Sequence, residues 1–136
     1  MIDLFQNRFE LALPKPLFTF DHPNKAAVID NNRYKELCFD LVADSVLHGF
    51  AGYFECQLYK NITISILPAT HSPGMFSWFP IFFPLKDPVQ VKKTDKLRLH
   101  FWRNVTKGHV WYEWALSEPV AVPVHNPNGR SYKIGL

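Results

Sequence analysis

The stretch HSPGMFSWFP, His71 to Pro80, places an indole, two phenyl rings and a thioether within one short run. Pro73 and Pro80 flank its centre, and Gly74 sits near its start. Residues of those types at that spacing interrupt a strand ladder and exclude a helix, so the segment reads as a loop. Loops run over protein surfaces, and so apolar a loop needs a reason to be there. Trp78 is the candidate reason. Indole is the best side-chain ring for holding a cation, and a planar guanidinium can lie flat against it. The same ring could instead cap a core, and the residues alone leave both readings open.

Other groups able to do chemistry are less specific. Glu36, Asp40, Glu55 and Glu113 lie in strand-like runs, where burial would perturb a carboxyl. Glu113, between Tyr112 and Trp114, is expected to point outward or to pair with an arginine such as Arg103. The six histidines, at 22, 48, 71, 100, 109 and 125, contain no His-x-His pair, and no metal site is expected. No base is placed near any serine, so no serine is assigned as a nucleophile. A Gly-rich phosphate loop, a Gly-x-Ser-x-Gly elbow and Cys-x-x-Cys knuckles are all absent from the sequence. Trp102, Trp111 and Trp114 fall in alternating segments and are expected to pack in a core or on a sheet face.

Strands must position these groups. KLRLHFWRN alternates Leu97, Leu99 and Phe101 against Lys96, Arg98 and His100, the period-two pattern of a half-buried strand. NITISI sets Ile62, Ile64 and Ile66 against Asn61, Thr63 and Ser65 in the same way. HVWYEWAL reads as a further strand, joined to KLRLHFWRN through NVTKGH, and KKTDK reads as a turn. Gly49 and Gly52, inside a run of aromatic and β-branched residues, predict bends or close backbone approach. Prolines at 68, 73, 80, 84 and 88 exclude a helix across the middle. The pattern specifies an all-β domain spanning 1–136. It is a β-barrel or sandwich of about seven to nine mostly antiparallel strands with little helix.

Bulk properties agree with that reading. In 136 residues, 47% are hydrophobic and 20% charged, enough for one packed core. The net charge of +3 is a mild excess without any basic tail, so no direct nucleic-acid binding is expected. MIDLFQNRFE has no basic start followed by an apolar stretch, so it is not read as a leader. No window is long and apolar enough to span a bilayer, and no membrane partner is expected. Cys38 and Cys56 are expected to be reduced and buried, as small hydrophobes in an intracellular protein.

Five stretches together resemble one family. They are IDNNRY (29–34), LHGFAGYFE (47–55), THSPGMFSWFP (70–80), VWYEWA (110–115) and HNPNGRSYKIGL (125–136). In order and continuously from about Phe18 onward, they resemble the C-terminal β-barrel domain of the type II protein arginine methyltransferases. Members of that family transfer methyl groups from S-adenosylmethionine to protein arginines, giving symmetric dimethylarginine. The resemblance implies that this chain is the substrate-side domain of a larger, homo-oligomeric enzyme found in cytoplasm and nucleus. A TIM barrel would precede it in the parent. A Rossmann-like domain would hold S-adenosyl-L-methionine and the catalytic glutamate loop. No catalytic or cofactor-binding residue is then expected here, and the isolated chain is expected to be inactive. The implied partners are the Rossmann-like domain of the same parent, arginine-containing tails of histones and spliceosomal proteins, and a WD-repeat protein bound elsewhere on the parent.

The resemblance also gives the loop a role. Enzymes that make asymmetric dimethylarginine carry Thr-His-Trp here, where the type II family carries Phe-Ser-Trp. Phe76, Ser77, Trp78 and Phe79 are thereby implied as substrate-binding: Trp78 walls the arginine tunnel, Phe76 and Ser77 line it, and the Phe79 backbone meets the peptide. A competing reading is a stand-alone β-sandwich binding module that docks peptide or carbohydrate on exposed aromatics. VWYEWA could supply its face, but that reading leaves HSPGMFSWFP unexplained.

Overall fold

A computed structural model describes residues 8–136; the first seven residues of MIDLFQNRFE, read above as no leader, lie outside the described residues. Nine strands occur among the described residues: β1 (Arg33–Asp40), β2 (Ser45–Gly52), β3 (Glu55–Tyr59), β4 (Ile62–Ser65), β5 (Ile81–Val91), β6 (Lys96–Val105), β7 (His109–Glu118), β8 (Val122–His125) and β9 (Ile134–Gly135). The described helical content is two three-residue 3-10 turns, Pro68–Thr70 and Pro127–Gly129. The expectation of an all-β chain with up to nine antiparallel strands and little helix is met. The pairings form three sheets, β1-β6-β7-β8 with β9 added on β7, β2-β5, and β3-β4. None of them closes on itself among the described residues. Two compact units result. One is centred on His48–Pro88, and the other comprises Glu10–Leu47 and Val89–Leu136.

In the larger unit, the alternation of β6 dictates the sheet. Leu97, Leu99 and Phe101 are all but excluded from solvent. The register sets Leu99 beside Leu37 and Leu116, and Phe101 beside Trp114, whose ring stacks on it at 6.3 Å. Burying side chains of this size contributes about 1.5–3 kcal/mol each. Trp114 is buried as expected, and Trp102 and Trp111 are half-buried. The predicted turns form at both ends of β6. The Asp95 N–H donates to the Lys92 carbonyl at 2.9 Å, and the Thr106 N–H donates to the His109 carbonyl at 2.9 Å.

The other face of β6 is polar. Arg98 lies between Glu36 of β1 and Glu118 of β7, donating to the first and standing 3.3 Å from the second. Lys96 pairs with Asp40. The Lys96 ammonium, by hydrogen bond and then by charge, holds the Asp40 carboxyl below its ordinary value, and Asp40 raises Lys96 in return. The sign follows from both shifts. The carboxyl's contribution is present above its unfolded value near 4 and is lost as pH falls through the lowered one. The ammonium's contribution is present below about 10.5 and is lost as pH rises through the raised one. Both groups are exposed, so screening keeps the contribution small. Asp40→Asn should therefore blunt the acid and alkaline limbs of the unfolding profile at low salt, and circular dichroism at high salt should show no difference from the parent sequence.

A polar knot closes the C-terminal corner. Asn126 is buried and left-handed, with φ of 53°. Its amide donates to the carbonyls of Tyr112 and Tyr132 at 2.9 and 2.8 Å. Its side-chain oxygen accepts from the N–H groups of Ser131 and Tyr132 at 2.9 and 3.1 Å. One side chain thus satisfies four backbone groups, and short polar residues such as asparagine tolerate the left-handed region. Much of HNPNGRSYKIGL is therefore structural.

In the smaller unit, β3 and β4 pair with a bulge between Gln57 and Tyr59. The simple alternation expected of NITISI does not hold. Ile62 is exposed, while Ser65 and Ile66 are both buried. Ser65 is drawn inside because its polar atoms have local partners. Its hydroxyl accepts from the Leu67 N–H at 3.0 Å and meets the Thr70 hydroxyl at 2.8 Å. Cys38 and Cys56 are free, but Cys56 is exposed and Cys38 only half-buried. The expected burial of both thiols is corrected: Cys56 lies on short, solvent-facing β3, all of whose residues are exposed.

Candidate functional site

The loop of interest is tied at its base and open at its tip. At the base, Ser65 and Ser72 bond twice: the Ser72 N–H donates to the Ser65 carbonyl at 2.9 Å, and the Ser72 hydroxyl accepts from the Ser65 N–H at 3.0 Å. Thr70 donates from its hydroxyl to Glu55 at 2.7 Å. Pro68 starts the 3-10 turn between these ties. At the tip, Gly74 has φ of +78°, a conformation glycine adopts without steric cost. The Phe76 N–H donates to the Gly74 carbonyl at 2.9 Å. The chain then enters β5 directly after Pro80.

This construction presents side chains to solvent. Phe76, Trp78 and Phe79 are 73%, 55% and 53% exposed, and Ser77 is exposed beside them. Phe54 meets Trp78 edge-to-face at 5.4 Å. That contact fixes the indole while leaving more than half of it open. All four residues singled out in the sequence thus come together on one loop, and Trp78 does not cap a core. An indole so placed can hold a flat cation against its face, and the small Ser77 next to it leaves room.

Other candidates resolve differently. Glu113 does not meet Arg103. Its carboxylate accepts from the Trp111 indole N–H at 2.7 Å and from the Asn128 N–H at 2.7 Å, so it braces the C-terminal corner. Arg103 donates instead to the Asn31 carbonyl at 2.7 Å. Sequence reasoning missed a base next to a serine: His100 Nε2 lies 2.8 Å from the Ser117 hydroxyl, and Nδ1 lies 2.8 Å from the Tyr34 hydroxyl. Both ring nitrogens are committed, and the array crosses β1, β6 and β7, so it acts as a staple across the sheet. No signal in the sequence announced it, because the contact depends on cross-strand register and a bulge beside Leu99. Groups of three or more His, Cys, Asp and Glu side chains placed to hold a metal are absent among the described residues.

Comparison with known proteins decides the parentage. The family model described as the PRMT5 oligomerisation domain matches residues 2–134. The chain belongs to this family. It is 55% identical over 130 residues to protein arginine N-methyltransferase 5 of Xenopus laevis, covering 96% of this chain and 20% of that protein. The protein of the same name from Drosophila melanogaster is 43% identical over 136 residues, with 99% and 22% covered. Protein arginine N-methyltransferase skb1 of Schizosaccharomyces pombe is 37% identical over 139 residues, with 88% and 22% covered. The chain therefore spans about a fifth of the length of these curated relatives. Within this PRMT5 oligomerisation domain, the loop at Phe76–Phe79 and the corner at Asn126 are two irregular segments held by hydrogen bonds at or near their bases. The first presents Phe76, Trp78 and Phe79 to solvent, and the second presents Tyr132.

Proposed function

We propose that this chain is the substrate-side domain of a type II protein arginine methyltransferase and that Trp78 is the wall against which the substrate guanidinium lies. The observation that carries the reading is the exposed indole, fixed by Phe54 and flanked by Phe76, Ser77 and Phe79. The names of the relatives, each an arginine N-methyltransferase, support the same parent reaction. S-adenosyl-L-methionine, bound by another domain of the parent, supplies the methyl group. No residue of this chain is assigned to it. Catalytic carboxylates likewise belong to the other domain. What this chain contributes is positioning. A flat aromatic wall removes rotational freedom from a delocalised cation, and placing reacting groups correctly is itself a large part of catalysis. The parent is homo-oligomeric in this reading, in keeping with the name of the family. Arginine-containing protein tails are the substrates.

The loop sequence bears on the product. A serine at 77 leaves space on one side of the guanidinium that a histidine would fill. Converting Phe76-Ser77-Trp78 to Thr-His-Trp in the full-length parent should shift the product of a glycine–arginine peptide from symmetric toward monomethyl or asymmetric dimethylarginine, read by mass spectrometry. In the same assay the isolated chain, with labelled S-adenosylmethionine, should transfer no label. Unchanged symmetric product from the converted enzyme, or transfer by the chain alone, overturns the reading.

A further inference from the structure

In the larger unit, two cations share one aromatic ring. Arg33 on β1 and Arg103 on β6 are register partners. Their guanidinium carbons lie 5.0 and 5.1 Å from the centre of one ring, Phe20. Cation–π attraction helps hold both there. The hydrogen bonds they make go to uncharged acceptors: Arg33 Nη1 to the carbonyls of Asp30 and Asn32, and Arg103 Nη1 to the carbonyl of Asn31. Neither forms an ion pair with a carboxylate among the described residues. Asp30, the nearest acid in sequence, is turned to the Asn32 N–H and amide, both at 2.8 Å. A guanidinium carries five N–H donors, and each of these two uses only Nη1.

Phe20 and Arg33 line an open cleft of about 210 Å³, together with Asp21, His22, Asn24 and Asn31. Arg103 lies against two of those residues, Phe20 and Asn31. The space admits a group several times the size of a water molecule. Its wall offers the Arg33 guanidinium, an imidazole and two side-chain amides, and the Arg103 guanidinium lies against the Phe20 ring that forms part of that wall. Guanidiniums set in a plane match the oxygens of a carboxylate or phosphoryl group two at a time. Like charges gathered around one ring repel each other, and an oxyanion within reach of them offsets that repulsion. Asp21 in the cleft, and Asp30, whose carboxyl interacts with the Arg33 charge, oppose an anion and limit how tightly it can bind.

We infer that the cleft at Phe20 and Arg33, with Arg103 on the same ring, is an oxyanion site that takes one carboxylate or phosphoryl group. The site shares no residue with the loop at Trp78 and does not rest on the methyltransferase reading. A free phosphate and an acidic side chain offered by another segment share the chemistry, and the test separates them. Inorganic phosphate and N-acetylglutamate amide are titrated, each at constant ionic strength, into the 15N-labelled chain. The arginine Nε–Hε resonances are followed by NMR, with Arg130 as an exposed reference. Saturable shifts at Arg33 and Arg103 together are expected. Saturation with phosphate alone assigns the phosphoryl source, and saturation with the glutamate compound alone or with both assigns the carboxylate. Arg33→Gln or Arg103→Gln should weaken binding about tenfold, the loss of a charge-assisted bond. Asp21→Asn should tighten it roughly threefold by removing an opposing charge. The asparagine change needs no arginine to be lost, so it tests the site even where an arginine variant folds poorly. Shifts that never saturate, that match those at Arg130, or that ignore Asp21→Asn overturn the inference.

Discussion

Trp78→Ala in the full-length parent should lower kcat/KM toward a glycine–arginine peptide by about 30-fold or more while lowering Tm by only about 3 °C. The magnitude follows from the ring. A guanidinium against an indole in a desolvated tunnel gains about 2 kcal/mol or more, and each 1.36 kcal/mol is tenfold in rate. The stability side follows from how little the ring packs. Trp78 is 55% exposed and meets one described aromatic partner, Phe54, edge-to-face. Losing that contact costs about 1 kcal/mol. Trp78→Phe keeps a flat face and should recover most of the rate, whereas Trp78→Leu keeps apolar bulk and should not. The separation of activity from stability is what distinguishes a substrate wall from a core residue. A fall in Tm that parallels the fall in rate, or full activity in Trp78→Ala, would return Trp78 to packing.

Much of the scaffold could be read from the chain because it is written in period two. Leu97, Leu99 and Phe101 point inward on β6 as their spacing requires, and Lys96, Arg98 and His100 point out. The turns at Lys92–Asp95 and Thr106–His109 lie where polar residues and glycine interrupt that period. What escaped depends on three dimensions. Ser65 is buried because Leu67, Thr70 and Ser72 fold back on it, and alternation counts no such partners. Glu113 chose an indole and a backbone N–H over Arg103 because the Asn126 corner brings Asn128 above it. Arg103 is meanwhile held by a carbonyl in the segment before β1. The loop at Trp78 was recognisable for the opposite reason. Its composition violates the rules for both core and surface, and such violations mark places where function competes with packing. The Phe20 cleft has no such mark, since its two arginines are separated by 70 positions and only the β1–β6 register joins them.

Gly49→Ala is the second change with a large expected effect, and it tests how firmly β2 is pressed on β5. A methyl group at Gly49 would lie 2.4 Å from the Phe83 carbonyl oxygen and 2.9 Å from Pro84 Cα. Both are backbone atoms of the neighbouring strand, so no side-chain rotation relieves the clash. The strands must separate. Overpacking of this kind costs about 3 kcal/mol, which for a chain of this size lowers Tm by roughly 10 °C. Phe83 is buried and would be the first core residue to lose contacts. Gly108→Ala is the control, because a methyl group there meets nothing within 4 Å. It should change stability by less than about 0.5 kcal/mol. The consequence reaches the loop through the chain itself. Phe76–Phe79 run straight into Pro80 and the first residue of β5, so a β5 displaced from β2 carries the indole with it. In the parent enzyme, Gly49→Ala should therefore lose stability heavily together with arginine methylation, where Trp78→Ala should lose chiefly the second. Equal melting temperatures for Gly49→Ala and Gly108→Ala would show that β2 and β5 have room between them, and that the two glycines of LHGFAGYFE serve some need other than close approach.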